Sequence, residues 1–129
     1  MNPGLNFLYV GLGGATGACM RYAFSLLLAR ELLRFPLATL AANLTGALLA
    51  GIITTWFWSR GLFGTPMQLL LVVGFLGGFT TFSAFSVETL RLLETGNLAL
   101  ALLNIVANVG GSMLAVVAGA LIARGLWPG

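Results

Sequence analysis

The most informative part of the chain is residues 74–89, which read GFLGGFTTFSAFSVET. Two adjacent glycines, Gly77 and Gly78, precede the β-branched Thr80 and Thr81 inside an apolar run of helical length. Glycine and threonine are poor helix formers, so the segment predicts a helix that is broken here. A break frees carbonyl groups of the first half and amide groups of the second half. A simple kink, with threonine hydroxyls bonding back to the helix, is the alternative.

The composition of the whole chain is that of a membrane protein. Of 129 residues, 59% are apolar and 7% are charged, and the mean hydropathy is +1.02. A soluble domain carries about a quarter charged residues, so a soluble globule is excluded, as are a disordered and a nucleic-acid-binding chain. The chain has no His, no Asp and one Cys. It therefore lacks the residues for a Ser-His-Asp triad, a zinc site or a CxxC motif, and we do not expect an enzyme.

Four apolar stretches are each long enough to cross a bilayer as a helix of about 20 residues. They cover approximately residues 6–29, 37–58, 67–93 and 98–123, within a single domain of residues 1–129. We predict an all-α integral membrane protein of four transmembrane helices, with the third helix broken at mid-membrane. The first stretch lacks a basic leader and a cleavage motif, so we expect it to be retained.

Few charges are available to set the orientation of these spans. With both termini on one side, the opposite loops hold Arg30, Arg34 and Arg91, against Arg60 and Arg124 on the terminal side. Cytoplasmic loops carry an excess of basic residues, but this difference is a weak signal. Insertion in both orientations, and insertion in one orientation set by other features, both stay open.

Small residues recur at four-residue spacing in three of the spans. Such rows let helix backbones approach closely in lipid. We expect most of them to pack helices of one chain together, and some to pack a second copy. The rows are Gly13 and Gly17; Ala42, Gly46 and Ala50; and Ala107, Gly111, Ala115 and Gly119.

Polar side chains at membrane depth are costly and usually face protein or water. Thr39 and Asn43 share one face of the second span, and Asn104, Asn108 and Ser112 form a stripe along the fourth. A single asparagine more often bonds a neighbouring helix. Because a whole stripe accompanies Asn43, we predict a water-accessible pathway, with interhelical hydrogen bonding as the alternative.

Aromatic rings alternate with hydroxyls along the half-helix after the expected break. Phe82 and Phe85 are the rings, and Thr81 and Ser86 are among the hydroxyls. An aromatic stripe is more often packing, but ring edges are electropositive and can face a small anion. The donor-rich, carboxylate-poor inventory suits an anion better than a cation. Carbonyls freed by the break would instead suit a hard cation.

Two charged residues lie within or near the ends of the spans. Arg21 is either a positive charge at a vestibule that attracts anions or a partner of Glu88 or of backbone carbonyls, and both interpretations stay open. Glu88 lies near the end of its half-helix, and we expect it close to solvent.

These residues resemble the Fluc family, also called CrcB, of small bacterial fluoride channels, and the resemblance covers essentially the whole chain. Residues 77–89 carry the most specific match. It implies passive fluoride export that relieves fluoride toxicity, by an antiparallel, dual-topology homodimer with two pores in the bacterial cytoplasmic (inner) membrane. Weaker matches in the same order are Gly13-Gly14 through Gly17 to Arg21-Tyr22, Thr39 with Asn43 and Gly46, and Asn108-Val109-Gly110-Gly111-Ser112.

The resemblance also implies roles for single residues. A structural sodium ion (Na⁺) at the dimer interface would be held by the backbone carbonyls of Gly77 and Thr80. Arg21 and Glu88 would lie at the vestibule. The fluoride pore would be lined by the ring edges of Phe82 and Phe85 together with Asn43, Thr81, Ser83, Ser86 and Ser112. From the polar faces of the second and fourth spans, we also expect Thr39, Asn104 and Asn108 in the pore. Relatives often carry Tyr at the position of Asn104 and Gly at that of Ala38, which bears on conductance rather than on identity.

Two other functions share some of these features. A small proton-coupled multidrug exporter has the same length, four spans and dual topology, but it needs a carboxylate in the first span, where this chain has Arg21 and no acid. A structural membrane subunit without transport predicts that the polar stripe only joins helices. Resistance to cationic dyes would identify the exporter. For the structural subunit, Asn43→Ala should change stability and no flux.

Overall fold

The computed structural model describes residues 3–28 and 35–127, which are helical throughout apart from short connections, with no strand among them. The third stretch is divided. Its first half, which we call α3, runs from an α-helical turn through a π-helical segment to a last α-helical turn. The bounds are α1 Pro3–Leu28; α2 Leu37–Ser59; α3 Pro66–Gln68, Leu69–Leu76 and Gly77–Phe79; α4 Phe82–Glu94; and α5 Leu98–Leu126.

Three helical stretches are long and apolar enough to cross a membrane: Leu37–Ser59, Pro66–Glu94 taken across the break, and Leu98–Leu126. The protein is therefore an all-helical, multi-pass membrane protein. Helix α1 is long enough, but it is not among the three, because its glycines and Arg21 dilute its apolar content. The first of the four predicted spans stays a prediction. So does the orientation, since Arg30 and Arg34 lie outside the described residues.

The predicted break in the third stretch is confirmed, and it falls at the two threonines. Thr80 (φ −82°, ψ 155°) and Thr81 (φ −151°, ψ 121°) are both extended between α3 and α4. The Thr81 hydroxyl accepts a hydrogen bond from Ala84 N–H at 3.2 Å, so it caps the start of α4. The Thr80 hydroxyl donates to the Leu76 carbonyl at 2.9 Å, the back-bond that the kink alternative proposed.

Helices α1 and α3 pack backbone against backbone along a glycine seam. A Cβ on Gly13 would collide with the Leu70 carbonyl, and one on Gly17 with the Phe75 carbonyl. From the other side, a Cβ on Gly78 would collide with the Gly14 carbonyl. The predicted packing of small residues within one chain is confirmed here.

A second glycine seam joins α2 to α5. A Cβ on Gly51 would collide with the Val116 carbonyl, and one on Gly119 with the Leu48 carbonyl. Helix α4 packs on α5 and buries Phe85 and Leu92. The bundle thus consists of an α1–α3 pair and an α2–α5 pair, and the break lies where the two pairs meet.

Candidate functional site at the helix break

Asn43 of α2 holds the break through the backbone of Thr81. Thr81 N–H donates to Asn43 Oδ1 at 2.8 Å, and Asn43 Nδ2 donates to the Thr81 carbonyl at 3.1 Å. In a continuous α-helix, the Thr81 N–H would bond the carbonyl of Gly77. The asparagine takes that donor, so the Gly77 carbonyl is released from the helical ladder.

The second amide proton of Asn43 joins a buried set of polar side chains. Asn43 Nδ2 donates to Asn108 Oδ1 at 2.8 Å, and Asn108 Nδ2 donates to Asn104 Oδ1 at 2.8 Å. Asn104 Nδ2 donates in turn to Thr89 Oγ1 at 2.9 Å. The Thr89 hydroxyl donates to the Phe85 carbonyl at 2.8 Å. These bonds link α2, α5 and α4, as the interhelical alternative proposed.

A cavity of about 590 Å³ opens beside the break, between α2, α3, α4 and α5. It collects many of the residues that the sequence singled out, together with apolar neighbours such as Ala47 and Val116. Of the residues predicted for the pore, the vestibule and the sodium site, those that line it are Asn43, Gly77, Thr80, Thr81, Phe82, Phe85, Asn108 and Ser112. Those that do not line it are Arg21, Thr39, Ser83, Ser86, Glu88 and Asn104.

The polar stripe of α5 is therefore divided. Asn108 and Ser112 line the cavity, whereas Asn104 is fully buried, with 0% of its surface exposed. The expected access to water is wrong at Asn104, because α4 covers it and Thr89 binds its amide. The four-residue spacing of the stripe alone could not show whether a side chain faces water or hydrogen-bonds a neighbouring helix.

The two phenylalanines after the break differ in exposure. Phe82 is 75% exposed and Phe85 is 6% exposed. Their ring centroids lie 5.2 Å apart with an interplanar angle of 62°, so they meet edge to face. Both rings line the cavity, and the edge of an aromatic ring is electropositive. Phe85 anchors the pair in the core, and Phe82 extends from it.

Two of the predicted pore hydroxyls, Ser83 and Ser86, are exposed on α4 and lie outside the cavity. The Ser83 hydroxyl lies 3.2 Å from that of Thr81, and the Ser86 hydroxyl donates to the Phe82 carbonyl at 2.8 Å. Their hydroxyls are therefore engaged locally, while Thr81 and Ser112 are the hydroxyl residues of the predicted pore that line the cavity.

Arg21 of α1 lies at the end of α3. Its Nε donates to the Gly78 carbonyl at 3.2 Å. A positive charge is favourable at a helix C-terminus, where carbonyls lack helical partners. Of the alternatives left open, the structure has the bond to a backbone carbonyl, and the vestibule role of Arg21 stays a prediction.

Glu88 bonds α4 to α2. Thr39 Oγ1 donates to Glu88 Oε1 at 2.6 Å. The other oxygen, Oε2, is buried and has no hydrogen-bond partner among the described residues. The expectation that Glu88 lies close to solvent is wrong for this oxygen, because the contact with Thr39 holds the carboxyl group against the bundle.

The residues implied as sodium ligands can be tested against this geometry. Gly77 is exposed and has open space beside it, its carbonyl is released by Asn43, and it lines the same cavity as the extended Thr80. In residues 3–28 and 35–127, no group of three His, Cys, Asp or Glu could hold a metal. Carbonyl oxygens suit a hard cation, so the residues fit, although one chain offers only part of a coordination shell.

Sequence reasoning missed Thr89, although it is 8% exposed and links Asn104 to α4. The signal was its position four residues after Phe85 in a half-helix whose buried face also carries that ring. Periodicity identified the face, but the partner on α5 lies too far along the chain for a local pattern to indicate.

Comparison with known proteins gives the family. The family model described as "CrcB-like protein, Camphor Resistance (CrcB)" matches residues 8–120. A Clostridium perfringens protein named fluoride-specific ion channel FluC is 46% identical over 118 residues, covering 91% of this chain and 92% of the relative.

Two further relatives carry related names. A fluoride-specific ion channel FluC of Paracoccus denitrificans is 43% identical over 121 residues, covering 94% of this chain and 96% of the relative. The fluoride-specific ion channel FluC 1 of Methanosarcina acetivorans is 40% identical over 119 residues, covering 92% and 91%. A family match over residues 8–120, together with relatives at 40–46% identity over more than nine-tenths of the chain, means that the chain belongs to the CrcB family.

Proposed function

We propose that the protein is a fluoride-selective ion channel, not an enzyme, that lets fluoride leave the cell passively and so relieves its toxicity. The observation that carries the proposal is that relatives named fluoride-specific ion channels are 43–46% identical to this chain over more than nine-tenths of its length. The site supports it because the cavity joins hydrogen-bond donors to the Phe82–Phe85 pair and has no carboxylate in its lining.

The physical requirement is to replace the water around a small, strongly hydrated anion. Several modest sites pass an ion better than one tight site. The exposed edge of Phe82, the Ser112 hydroxyl and the Asn43 and Asn108 amides would supply successive contacts. Asn43 donates both protons to protein acceptors in this structure, so an anion that uses this amide must displace one of them.

We further propose that the channel is an antiparallel homodimer of dual topology with two pores, each chain crossing the bacterial cytoplasmic membrane four times. The carbonyls of Gly77 and Thr80 would hold a structural sodium ion at the interface. Their place beside open space favours this, because a second copy would bring the same two carbonyls to complete the shell. A bound sodium ion would neutralise the carbonyl ends of two half-helices.

Fluoride efflux from proteoliposomes, followed with a fluoride electrode and with chloride as the control anion, tests the function. We expect wild-type protein to release fluoride and not chloride. Phe82→Ile should reduce the flux, whereas the matched Phe7→Ile should not, because Phe7 is 80% exposed on α1 and lies outside the cavity. Absence of fluoride efflux from folded wild-type protein would refute the channel.

A further inference from the structure

The amides of Asn43, Asn108 and Asn104 form one chain of hydrogen bonds in which every donor points in the same direction. The chain starts at the Thr81 N–H and ends at the Phe85 carbonyl. A backbone N–H can only donate and a backbone carbonyl can only accept. The two ends of the chain therefore impose the same direction on every side chain between them.

Each asparagine in the chain has one orientation that satisfies both neighbours. Asn108 can receive the Asn43 proton at Oδ1 only while its own Nδ2 faces Asn104, whose Oδ1 and backbone carbonyl accept from it at 2.8 and 3.1 Å. Turning one amide over would place two acceptors or two donors face to face at both of its contacts. Hydrogen bonds in such a chain polarise one another in a low-dielectric interior. The orientation of one amide therefore affects the strength of the hydrogen bonds that the others make.

Asn104 is the member whose surroundings constrain it most. It is fully buried, and Thr89 Oγ1 can only accept from it because the Thr89 proton is donated to Phe85. Asn104 must therefore present Nδ2 to Thr89 and Oδ1 to Asn108. Asn43, by contrast, is half-buried at the cavity. The Thr81 backbone binds its oxygen and one amide proton, and Asn108 Oδ1 accepts the other proton.

We propose that Asn104 is a positioning residue for Asn43. It acts through Asn108, whose amide it holds with Oδ1 and with its backbone carbonyl, and so keeps Asn108 Oδ1 on the Asn43 proton that Thr81 does not accept. Asn104 itself makes no hydrogen bond to Asn43. The effect on ion flux rests on the proposed channel function, but the effect on the Asn43 amide does not.

The test is hydrogen exchange of the side-chain amides by NMR, with ¹⁵N-labelled asparagine in detergent micelles. The chain has six asparagines, which single substitutions can assign. We expect Asn104→Leu, which keeps the shape of the side chain, to speed exchange at the Asn43 amide about tenfold, because it removes the side-chain acceptor of the Asn108 amide and leaves only the backbone carbonyl. Asn97→Leu is the matched control, because Asn97 is exposed and, within residues 3–28 and 35–127, its side-chain amide donates only to Thr95.

A second variant keeps the proposal testable if Asn104→Leu does not fold. Thr89→Val removes the last hydroxyl of the chain and preserves its volume, so it should also speed exchange at Asn43. Thr54→Val is its control, because the Thr54 hydroxyl bonds only the Ala50 carbonyl of its own helix. Unchanged Asn43 exchange in a folded Asn104→Leu or Thr89→Val variant would overturn the proposal and leave Asn104 with a local role.

Fluoride flux of the same variants separates this proposal from the channel proposal. Faster Asn43 exchange with an altered fluoride flux supports the positioning role and its link to the pore. If the variants show faster Asn43 exchange but the wild-type protein carries no fluoride, the positioning role is supported and the channel proposal is refuted.

Discussion

Asn43 pairs with the backbone of Thr81 through both ends of its side-chain amide, receiving the Thr81 N–H at 2.8 Å and donating to the Thr81 carbonyl at 3.1 Å. The Asn43 oxygen thus takes the place of the Gly77 carbonyl, to which the Thr81 N–H would donate in an unbroken helix. The break therefore depends on a contact with α2, which is distant in the chain, as well as on the helix propensities of residues 77–81.

Replacing Asn43 should destabilise the protein through this contact. Asn43→Leu removes two bonds to Thr81 and one to Asn108, and at about 0.6 kcal/mol for each interhelical bond in a membrane protein the loss is about 2 kcal/mol. Reversible unfolding in micelles measures it, with Asn97→Leu as control. Equal stability of the two variants would contradict the structural role of Asn43.

The two phenylalanines should separate stability from transport. Phe85→Ala empties a core position and should cost about 3 kcal/mol, whereas Phe82→Ala removes a largely exposed ring and should cost much less. In the proposed channel, loss of a ring-edge contact worth about 1 kcal/mol should slow fluoride flux about fivefold in Phe82→Ala. A Phe82 variant with full flux would remove the ring from the pore.

The α1–α3 seam should respond to a single methyl group. Gly17→Ala places a Cβ against the Phe75 carbonyl, and overpacking of this kind costs about 1–3 kcal/mol. Gly11→Ala on the same helix meets nothing within 4 Å and should be neutral or stabilising, since alanine favours helices over glycine. The measurement is the thermal unfolding midpoint of each variant. Equal midpoints for Gly17→Ala and Gly11→Ala would contradict the close approach of α1 and α3.

Substitution of Arg21 can distinguish a structural role from a role in ion conduction. Arg21→Gln weakens the bond to the Gly78 carbonyl, and we expect a loss of about 1–2 kcal/mol in unfolding free energy, because a hydrogen bond from a charged group is replaced by a neutral one. Arg124→Gln, exposed at the end of α5, is the control. A fall in flux with unchanged stability would instead assign Arg21 to the vestibule.

Removal of sodium should weaken the proposed dimer. Exchange of sodium for a large organic cation should increase the monomer fraction measured by crosslinking, and Thr80→Val should leave that sodium dependence in place because the proposed ligands are carbonyls. A dimer indifferent to sodium would refute the cation site. Loss of sodium dependence in Thr80→Val would show that a side chain, not the carbonyl, is the ligand.

Much of the fold follows from local patterns. Apolar length indicates the helices, and the Gly-Gly-Phe-Thr-Thr segment indicates a break. What local patterns could not show is that the break falls after Phe79, because that position depends on Asn43 reaching Thr81 from another helix. The glycine rows likewise indicate close packing but not which helix meets which.

The site was predicted in part for the same reason. Phe82, Phe85, Asn43 and Ser112 do meet at one cavity, as the spacing and the resemblance suggested. The different exposure of the two rings, the burial of Asn104 and the role of Thr89 depend on how α4 lies on α5. Periodicity gives a face of a helix, and only the packing of the whole bundle decides whether that face meets water or another side chain.

The α1–α3 seam also has a consequence for biosynthesis. Helix α1 is translated before α3 but is less apolar than the three candidate spans. Its glycine face packs on the backbone of Leu70, Phe75 and Gly78, all of which follow the whole of α2 in the chain. The packing of α1 on α3 therefore forms only after α2 and α3 have been synthesised. The contact that places α1 in the bundle is thus a late event of folding, although α1 precedes α2 and α3 in the chain.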